Sequence, residues 1–469
     1  MSVSGHRHVP LRFDAGTLLL KGAGKTNPNE ATGGIPWQWD PRVSAWRCDA
    51  RHYPDLAQAI TAGHLPLDDQ VPAWQPVHWP QVNVRQLRPE QLKAVSAWLA
   101  ARRGCVIMPT GTGKTEVALE IMRQTAVSTL VVAPVRDLMY QWHRRILDSL
   151  GYDAGIVGDS TFRVQPVSVT TYDSACIHME KFGNRFGLIV FDECHHLPGA
   201  MRRDAAAQSA APFRLGLTAT PERGDGRHAD LNWLIGPTLY ELPLSEVRGA
   251  SLAEYDVVRV PVHLSEEEQT RYDLLSRELR DYFVKRTQDD KSFTWEKLCR
   301  EMMHSPEARR MNRAFRAKVA IEDRAEEKLR ILEDLFRLHA GEPVLVFVGS
   351  NAMARDVSVR FLVPCLLSHT RKEERLDYLR GLESGVYPVL VANQVLDEGV
   401  DLPEVKTAIV IGGQASTRQA RQRLGRILRR SGNARAVLYE VVCVETGDED
   451  RSRQRRSHDA YSGTRTRRI

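Results

Sequence analysis

Cysteine is sparse and shows no pairing pattern in this sequence. Seven residues (Cys48, Cys105, Cys176, Cys194, Cys299, Cys365 and Cys443) are scattered over 469 positions, with no CxxC pair and no zinc-like Cys/His spacing. That argues against a disulfide-stapled secreted scaffold and reads as reduced thiols in a cytosol. Long apolar runs are lacking too. No stretch reaches the roughly 18 residues of a membrane span, and the opening MSVSGHRHVPLRFD has no apolar signal core. A soluble, cytoplasmic protein without membrane contact is expected. An excess of one charge is missing from the body: Lys plus Arg is 65 and Asp plus Glu 59, but residues 451–469 hold seven Arg and one Asp, leaving 58 of each. Net charge therefore gives no argument for nucleic acid, and any such case must rest on local chemistry. No repeat appears at the periods of about 20 to 50 residues that mark solenoids.

What is present is globular. Hydrophobic residues are 42% and charged residues 26% of the chain, and the length suggests about three structural units. Residues 1–80 hold five of the nine tryptophans and end in VPAWQPVHWP, whose three prolines favour an extended linker. A small N-terminal α+β domain is expected there, with GTLLLKG as a strand and YPDLAQAI as a helix. Trp37, Trp39 and Trp46 interleave with Arg42, Arg47 and Arg51, a pattern that could stack on bases. The favoured reading is a core built from tryptophan.

Over 81–249, apolar runs (GCVIM, TLVVAP, PVSVTT, FGLIVFDE, FRLGLTAT) alternate with helical segments. Continuous apolar strands mean buried parallel strands, hence a doubly wound α/β domain. From 250 to 340 there is no glycine and much Glu, Arg and Leu, which predicts a helical insertion. The α/β rhythm resumes over 341–447 with PVLVFVG, YPVLVAN and TAIVIGG, and 448–469 is a basic tail expected to be disordered when free.

After GCVIM comes PTGTGKTEVALEIM, a glycine-rich turn opening an amphipathic helix. Gly111 and Gly113, with Thr110 and Thr112 between and before them, let backbone N–H groups converge on phosphate at a helix N-terminus. Lys114 can then reach the β and γ phosphates, and the Thr115 hydroxyl can ligate Mg²⁺. Met108 stands where the strict motif wants glycine, so the match is to a relaxed form. Downstream, the run LIVF ends in Asp192-Glu193-Cys194-His195. A strand ending in two carboxylates can hold the Mg²⁺ shell with Asp192 and activate the attacking water with Glu193. Cys194, His195 and His196 invite a zinc reading, but three adjacent residues do not converge on one tetrahedral ion.

In that order, PTGTGKT, DECH and LTATP (217–221) resemble motifs I, II and III of superfamily 2 DExH-box helicases. VLDEGVDLPEV (395–405) is similar to motif V, and QRLGRILRR (422–430) to motif VI. More narrowly, DAGTLLLKG, WQWDPRVSAWRCDARHYPDL, LRPEQLKAV (87–95), TATPER and DLNWLIGPTLYE resemble the XPB-type DNA repair helicases. The resemblance implies two RecA-like domains, a damage-recognition-like domain, a thumb-like insertion, and 3′ to 5′ translocation or unwinding driven by ATP and Mg²⁺. It implies that Gln91, assisted by Arg88, reads adenine. Arg136 and Thr171 fall on motifs expected to touch the DNA backbone, while His195, Thr218, Thr220 and Gln422 couple hydrolysis to movement. Asp401 contacts ATP beside a turn at Gly399, and Arg426 and Arg429 clamp the γ phosphate. Arg223 and Asp225 sit where the family carries an Arg-Glu-Asp strand-separation element. Here the element reads Arg-Gly-Asp, which weakens unwinding more than ATPase or translocation.

Arg309, Arg313 and Arg316, at i, i+4 and i+7, form one basic helix face in the insertion, a usable phosphate track. The partners expected are DNA (single-stranded, forked or duplex) and, by family analogy, a repair nuclease acting on the same DNA; the chain is expected to be a monomer. Two other functions stay open: a duplex-tracking motor of a restriction or remodelling system, and an ATP-switched DNA-binding scaffold. RNA also stays open, because nothing in the sequence reads a 2′-hydroxyl.

Overall fold

Runs of valine, leucine and isoleucine bounded by turn residues set up two parallel sheets, each buried on both faces by helices. The structure is a computed structural model. It describes residues 9–22, 26–221, 226–243, 246, 255–367, 369–393, 405–412, 436–456 and 467–468. It divides into two units, Met1–Pro243 and Leu244–Ile469.

The first unit opens with strands β1 (Val9–Asp14), β2 (Thr17–Lys21), β3 (Gln38–Asp40), β4 (Ala45–Asp49) and β5 (Leu67–Asp69), in the order β3-β4-β2-β1-β5. Helix α1 (Tyr53–Thr61) closes a core of Leu11, Leu18, Trp37, Trp46 and Leu56, to which Ala210 of the following domain also belongs. Trp39 stands edge-on to Trp46 with centroids 5.4 Å apart. Arg42 pairs with Asp40, and Arg47 with Asp14 and Asp40. These tryptophans are core, as expected; Arg47 ties β4 to the ends of β1 and β3, while Arg42 pairs within its own turn. The proline-rich linker is strapped to the next domain: the Gln75 N–H donates to Ser128 Oγ at 3.1 Å and the Ser128 hydroxyl to the Gln75 carbonyl at 2.9 Å.

The eight-stranded sheet comprises β6 (Arg103–Ile107), β7 (Thr129–Ala133), β8 (Gly155–Gly158), β9 (Thr161–Phe162), β10 (Val167–Thr171), β11 (Leu188–Asp192), β12 (Phe213–Thr218) and β13 (Thr238–Glu241). Its order is β13-β6-β12-β11-β7-β10-β8-β9, parallel except where β9 turns back on β8. Helix α2 (Pro89–Ala101) leads into β6, and α3 (Lys114–Thr125), α4 (Arg136–Leu150) and α5 (Tyr172–Phe182) connect strands. Every residue of β7, β10 and β11 is buried, as parallel strands covered on both faces must be. Arg214 is fully buried in β12. Its guanidinium donates to the carbonyls of Ser209, Ala211 and Leu234 at 2.6, 3.3 and 2.5 Å.

The second unit holds β14 (Tyr255–Val262), β15 (Val344–Val348), β16 (Cys365–Leu366), β17 (Val389–Ala392), β18 (Thr407–Ile411), β19 (Ala436–Cys443) and β20 (Arg467–Arg468), all parallel, in the order β16-β17-β15-β18-β19-β14-β20. The glycine-free stretch thus opens with a strand rather than a helix. Val257, Val258, Val260 and Val262 of β14 are buried, and β-branched side chains favour the pleated sheet. Helices Glu266–Asp289, Trp295–Glu301 and Pro306–Arg324 follow, with their own core of Leu279, Tyr282, Phe293, Leu298 and Met311. Helix Glu326–Leu338 packs Leu332 and Leu335 onto the sheet instead. The basic tail does not start disordered: Gly447–Arg456 is a helix. Fully buried Lys328 donates to Asp448 Oδ2 at 2.6 Å, and the two side chains share a dry ion pair. Among the described residues no helix is long and apolar enough to cross a membrane.

Candidate nucleotide site and nucleic-acid surfaces

In the first sheet, β12 lies between β6 and β11. The carboxyl ends of β6 and β11 therefore flank Thr218, at the edge where open α/β sheets bind ligands. From β6 the chain turns through Pro109–Gly113 into α3. Gly111 and Gly113 have φ of 83° and 82°, left-handed values that glycine adopts without a Cβ penalty. A Cβ on Gly113 would run into the Gln91 amide. The Lys114 ammonium donates to the Met108 carbonyl at 3.2 Å and lies 3.9 Å from Glu193 Oε1. Thr112 is buried, and its hydroxyl closes the turn on the Pro109 carbonyl at 2.6 Å. Thr110 Oγ1 is buried without a hydrogen-bond partner among the described residues.

Gln91 caps the start of α2: its Oε1 accepts from the Arg88 N–H at 2.8 Å. Its Nε2 donates to the Thr112 carbonyl at 2.8 Å, and the Arg88 guanidinium reaches that same carbonyl. Both residues named as adenine readers therefore grip the phosphate loop itself.

At the end of β11, Asp192 is buried. Its Oδ1 accepts the Glu193 N–H at 3.0 Å and its Oδ2 the indole N–H of Trp142 at 2.8 Å. Burial pushes its carboxyl up to about 6; the Glu193 charge adds to the rise, while the Trp142 hydrogen bond and Lys114 oppose it. Glu193 takes φ 47°, a conformation that costs a non-glycine residue free energy and that clusters at functional sites. The Tyr172 hydroxyl donates to the Asp192 carbonyl at 2.9 Å. Buried His195 places Nδ1 3.0 Å from Thr218 Oγ1 and 3.4 Å from Glu193 Oε2. Thr218 Oγ1 donates to the Thr220 carbonyl at 3.0 Å. Asp192, Glu193, His195, Thr218 and Thr220 are thus one connected set, with Lys114 at its edge.

The donors here are hard oxygens: the Asp192 carboxylate and, on α3, the Thr115 hydroxyl. They suit Mg²⁺, which takes one or two carboxylates and substrate phosphates rather than a protein cage. Among the described residues there is no group of three or more His, Cys, Asp or Glu that could hold a metal ion.

Elsewhere, the exposed Arg136 pairs with Asp159 at 2.7 Å. The Thr171 hydroxyl is spent capping α5, accepting from the Ser174 N–H. Arg309, exposed on Pro306–Arg324, donates to the Met302 carbonyl at 3.0 Å and so finishes the preceding helix. Arg313 and Arg316 are exposed on the same helix. Gly399, Asp401, Gln422, Arg426 and Arg429, and also Arg223 and Asp225, lie outside the described residues.

Sequence reasoning missed Trp142, Tyr172 and the Arg145–Glu116 ion pair that joins α4 to α3. The available signal was slight: Trp142 falls at core spacing with Met139 and Ile146 in α4, which marks burial but not its carboxylate partner.

Three family models match the chain: the Xeroderma pigmentosum group B helicase damage recognition domain over 11–71, the type III restriction enzyme res subunit over 85–223, and the helicase conserved C-terminal domain over 327–431. The DNA 3′-5′ translocase XPB2 of Sulfurisphaera tokodaii is 37% identical over 425 residues, covering 89% of this chain and 95% of that protein. The DNA 3′-5′ helicase XPB of Kineococcus radiotolerans is 30% identical, covering 80% of this chain and 63% of that protein. Among solved structures, Saccharomyces cerevisiae Dbp5 bound to RNA and ADP BeF3 superposes with TM-score 0.55 at 15% identity, covering 82% of this chain and 90% of that one. At that identity it shows the two-domain helicase fold alone.

Proposed function

The chain belongs to the XPB family of superfamily 2 DNA helicases, and from that premise we propose that it is an ATP-dependent DNA 3′ to 5′ translocase or helicase acting in DNA repair. The observation that carries the reading is the convergence of Lys114, Asp192 and Glu193 beside a two-glycine phosphate loop. Lys114 would leave the Met108 carbonyl for the β and γ phosphates. Glu193 would orient and deprotonate the attacking water. Thr115 and Asp192 would hold Mg²⁺, which when bound neutralises charge on the phosphate oxygens. Gln91 and Arg88 would read adenine, so that base recognition and phosphate-loop shape share one pair of side chains. His195 would pass the state of Glu193 to Thr218 and Thr220.

In the second α/β domain's sequence, Arg426 and Arg429 would stabilise transition-state charge, Asp401 would contact ATP and Gln422 would couple hydrolysis to movement. DNA phosphates would meet Arg136, the α5 N-terminus at Thr171, and Arg309, Arg313 and Arg316 of the helical insertion. DNA is the partner this reading requires; a nuclease working on the same DNA is a further proposal from family analogy.

The Arg223-Gly224-Asp225 sequence favours translocation over strand separation. Strand-displacement and triplex-displacement assays, run with ATP on matched DNA, test this. Release of the triplex strand with little release of a Watson–Crick strand is expected. Hydrolysis with displacement of neither would overturn the motor reading.

A further inference from the structure

We infer that Trp142 is a positioning residue for the metal-binding carboxylate, holding Asp192 in the orientation that receives Mg²⁺. This deepens the ATPase reading above and rests on it. Trp142 is 2% exposed and reaches Asp192 from 50 residues away, its indole N–H 2.8 Å from Oδ2. The second oxygen, Oδ1, takes the Glu193 N–H at 3.0 Å. Each oxygen is therefore fixed by one donor, and the carboxylate plane is set by groups on two different elements, α4 and the β11 turn.

The type of donor matters. A lysine or arginine at this place would neutralise the carboxylate and compete with a cation for it. A tryptophan N–H is neutral and donates only, so it orients Asp192 while leaving its full negative charge available. Partners of this kind behind a metal ligand commonly change metal affinity or activity by about 10 to 100-fold when removed.

Trp142 does not act on an isolated helix. One turn on, Arg145 pairs with Glu116 of α3, in the first turn after Lys114 and Thr115. Helix α4 is thus bonded both to the strand end that carries Asp192 and to the helix that carries the phosphate-loop hydroxyl. That two-point attachment is what would hold the two candidate Mg²⁺ oxygens in one frame.

The simpler reading is a core tryptophan that merely satisfies its N–H, and the test must separate the two. Binding of a fluorescent ADP analogue is measured for wild type and Trp142→Phe in EDTA and across a Mg²⁺ titration. Alongside, melting curves and DNA-stimulated ATPase against Mg²⁺ concentration are recorded. The inference expects unchanged affinity in EDTA, a Mg²⁺ midpoint raised by about tenfold or more, and recovery of much of the turnover at high Mg²⁺. An unaltered Mg²⁺ midpoint with intact folding would overturn it. If the Phe variant melts early, a second variant with 3-benzothienylalanine at position 142, which keeps the ring shape but lacks the N–H, must show the same midpoint shift; a wild-type midpoint there also overturns the inference. Wild type that neither binds the analogue more tightly with Mg²⁺ nor hydrolyses ATP would instead sink the ATPase reading itself.

Discussion

Lys114 Nζ stands 3.9 Å from Glu193 Oε1 and 3.2 Å from the Met108 carbonyl. The ammonium bridges the strand end before the phosphate loop and the acidic turn after β11. It is held where a γ phosphate could displace it from both contacts. Glu193→Gln keeps the size and loses the base, so ATP binding should persist while kcat falls by about 10²–10⁴-fold. Near-wild-type phosphate release would contradict the role given to Glu193.

Gly113 sits at φ 82° with the Gln91 amide in the place of a Cβ. Gly113→Ala should push Gln91 off the Thr112 carbonyl and distort the loop. Fluorescent-nucleotide titration should show weakening of at least tenfold, with the sheet still folded by circular dichroism.

Burial raises the Asp192 carboxyl from 3.8 to about 6. With the folded pKa above the unfolded one, the stability this group contributes is complete below the unfolded value and is lost as pH rises through about 6. In metal-free buffer, the melting temperature of Asp192→Asn minus that of wild type should therefore rise by a few degrees between pH 4 and 8, on top of a pH-independent loss where the amide NH2 faces a donor that a carboxylate oxygen had accepted. The same variant should lose ATPase. A melting difference that grew on acidification would have the wrong sign.

Lys328 and Asp448 are both fully buried, 2.6 Å apart, and Asp448 also accepts the Cys443 N–H at 3.1 Å. Lys328→Ala leaves that buried carboxylate to the longer Arg451 contact, 3.5 Å from Oδ1, which costs up to about 3 kcal/mol. Denaturant unfolding of the full chain should show the second unit's transition moving to lower concentration.

Arg313→Ala and Arg316→Ala should weaken DNA binding across sequences alike. Each should reduce the salt slope of binding by about one, and DNA-free ATPase should not change.

Much of this architecture was legible because its signals are local. Apolar runs such as LIVFD and TLVVA declare buried parallel strands, and the glycine spacing before Lys114 declares the tight turn that opens α3. The strand Tyr255–Val262 was overshadowed by the missing glycines around it, although its valines carried the signal. Lys328 and Asp448 could not be read as a dry pair, since lysine and aspartate ordinarily mark solvent and their partnership spans 120 residues. Trp142 shows the same limit. Its spacing announces a core position on α4, but the carboxylate it orients lies at the end of β11, and only the folded chain brings them together. Gln91 was named as an adenine reader by resemblance alone, and its grip on the Thr112 carbonyl was not legible in the sequence.

The central claim is that ATP turnover at this phosphate loop is driven by DNA. The most direct measurement is steady-state ATPase of the full chain and of Lys114→Ala, without nucleic acid and with single-stranded, forked or duplex DNA or RNA. The account predicts hydrolysis stimulated by DNA over RNA in the wild type and abolished in the variant. Equal turnover on every substrate, or DNA stimulation that survives Lys114→Ala, would contradict it.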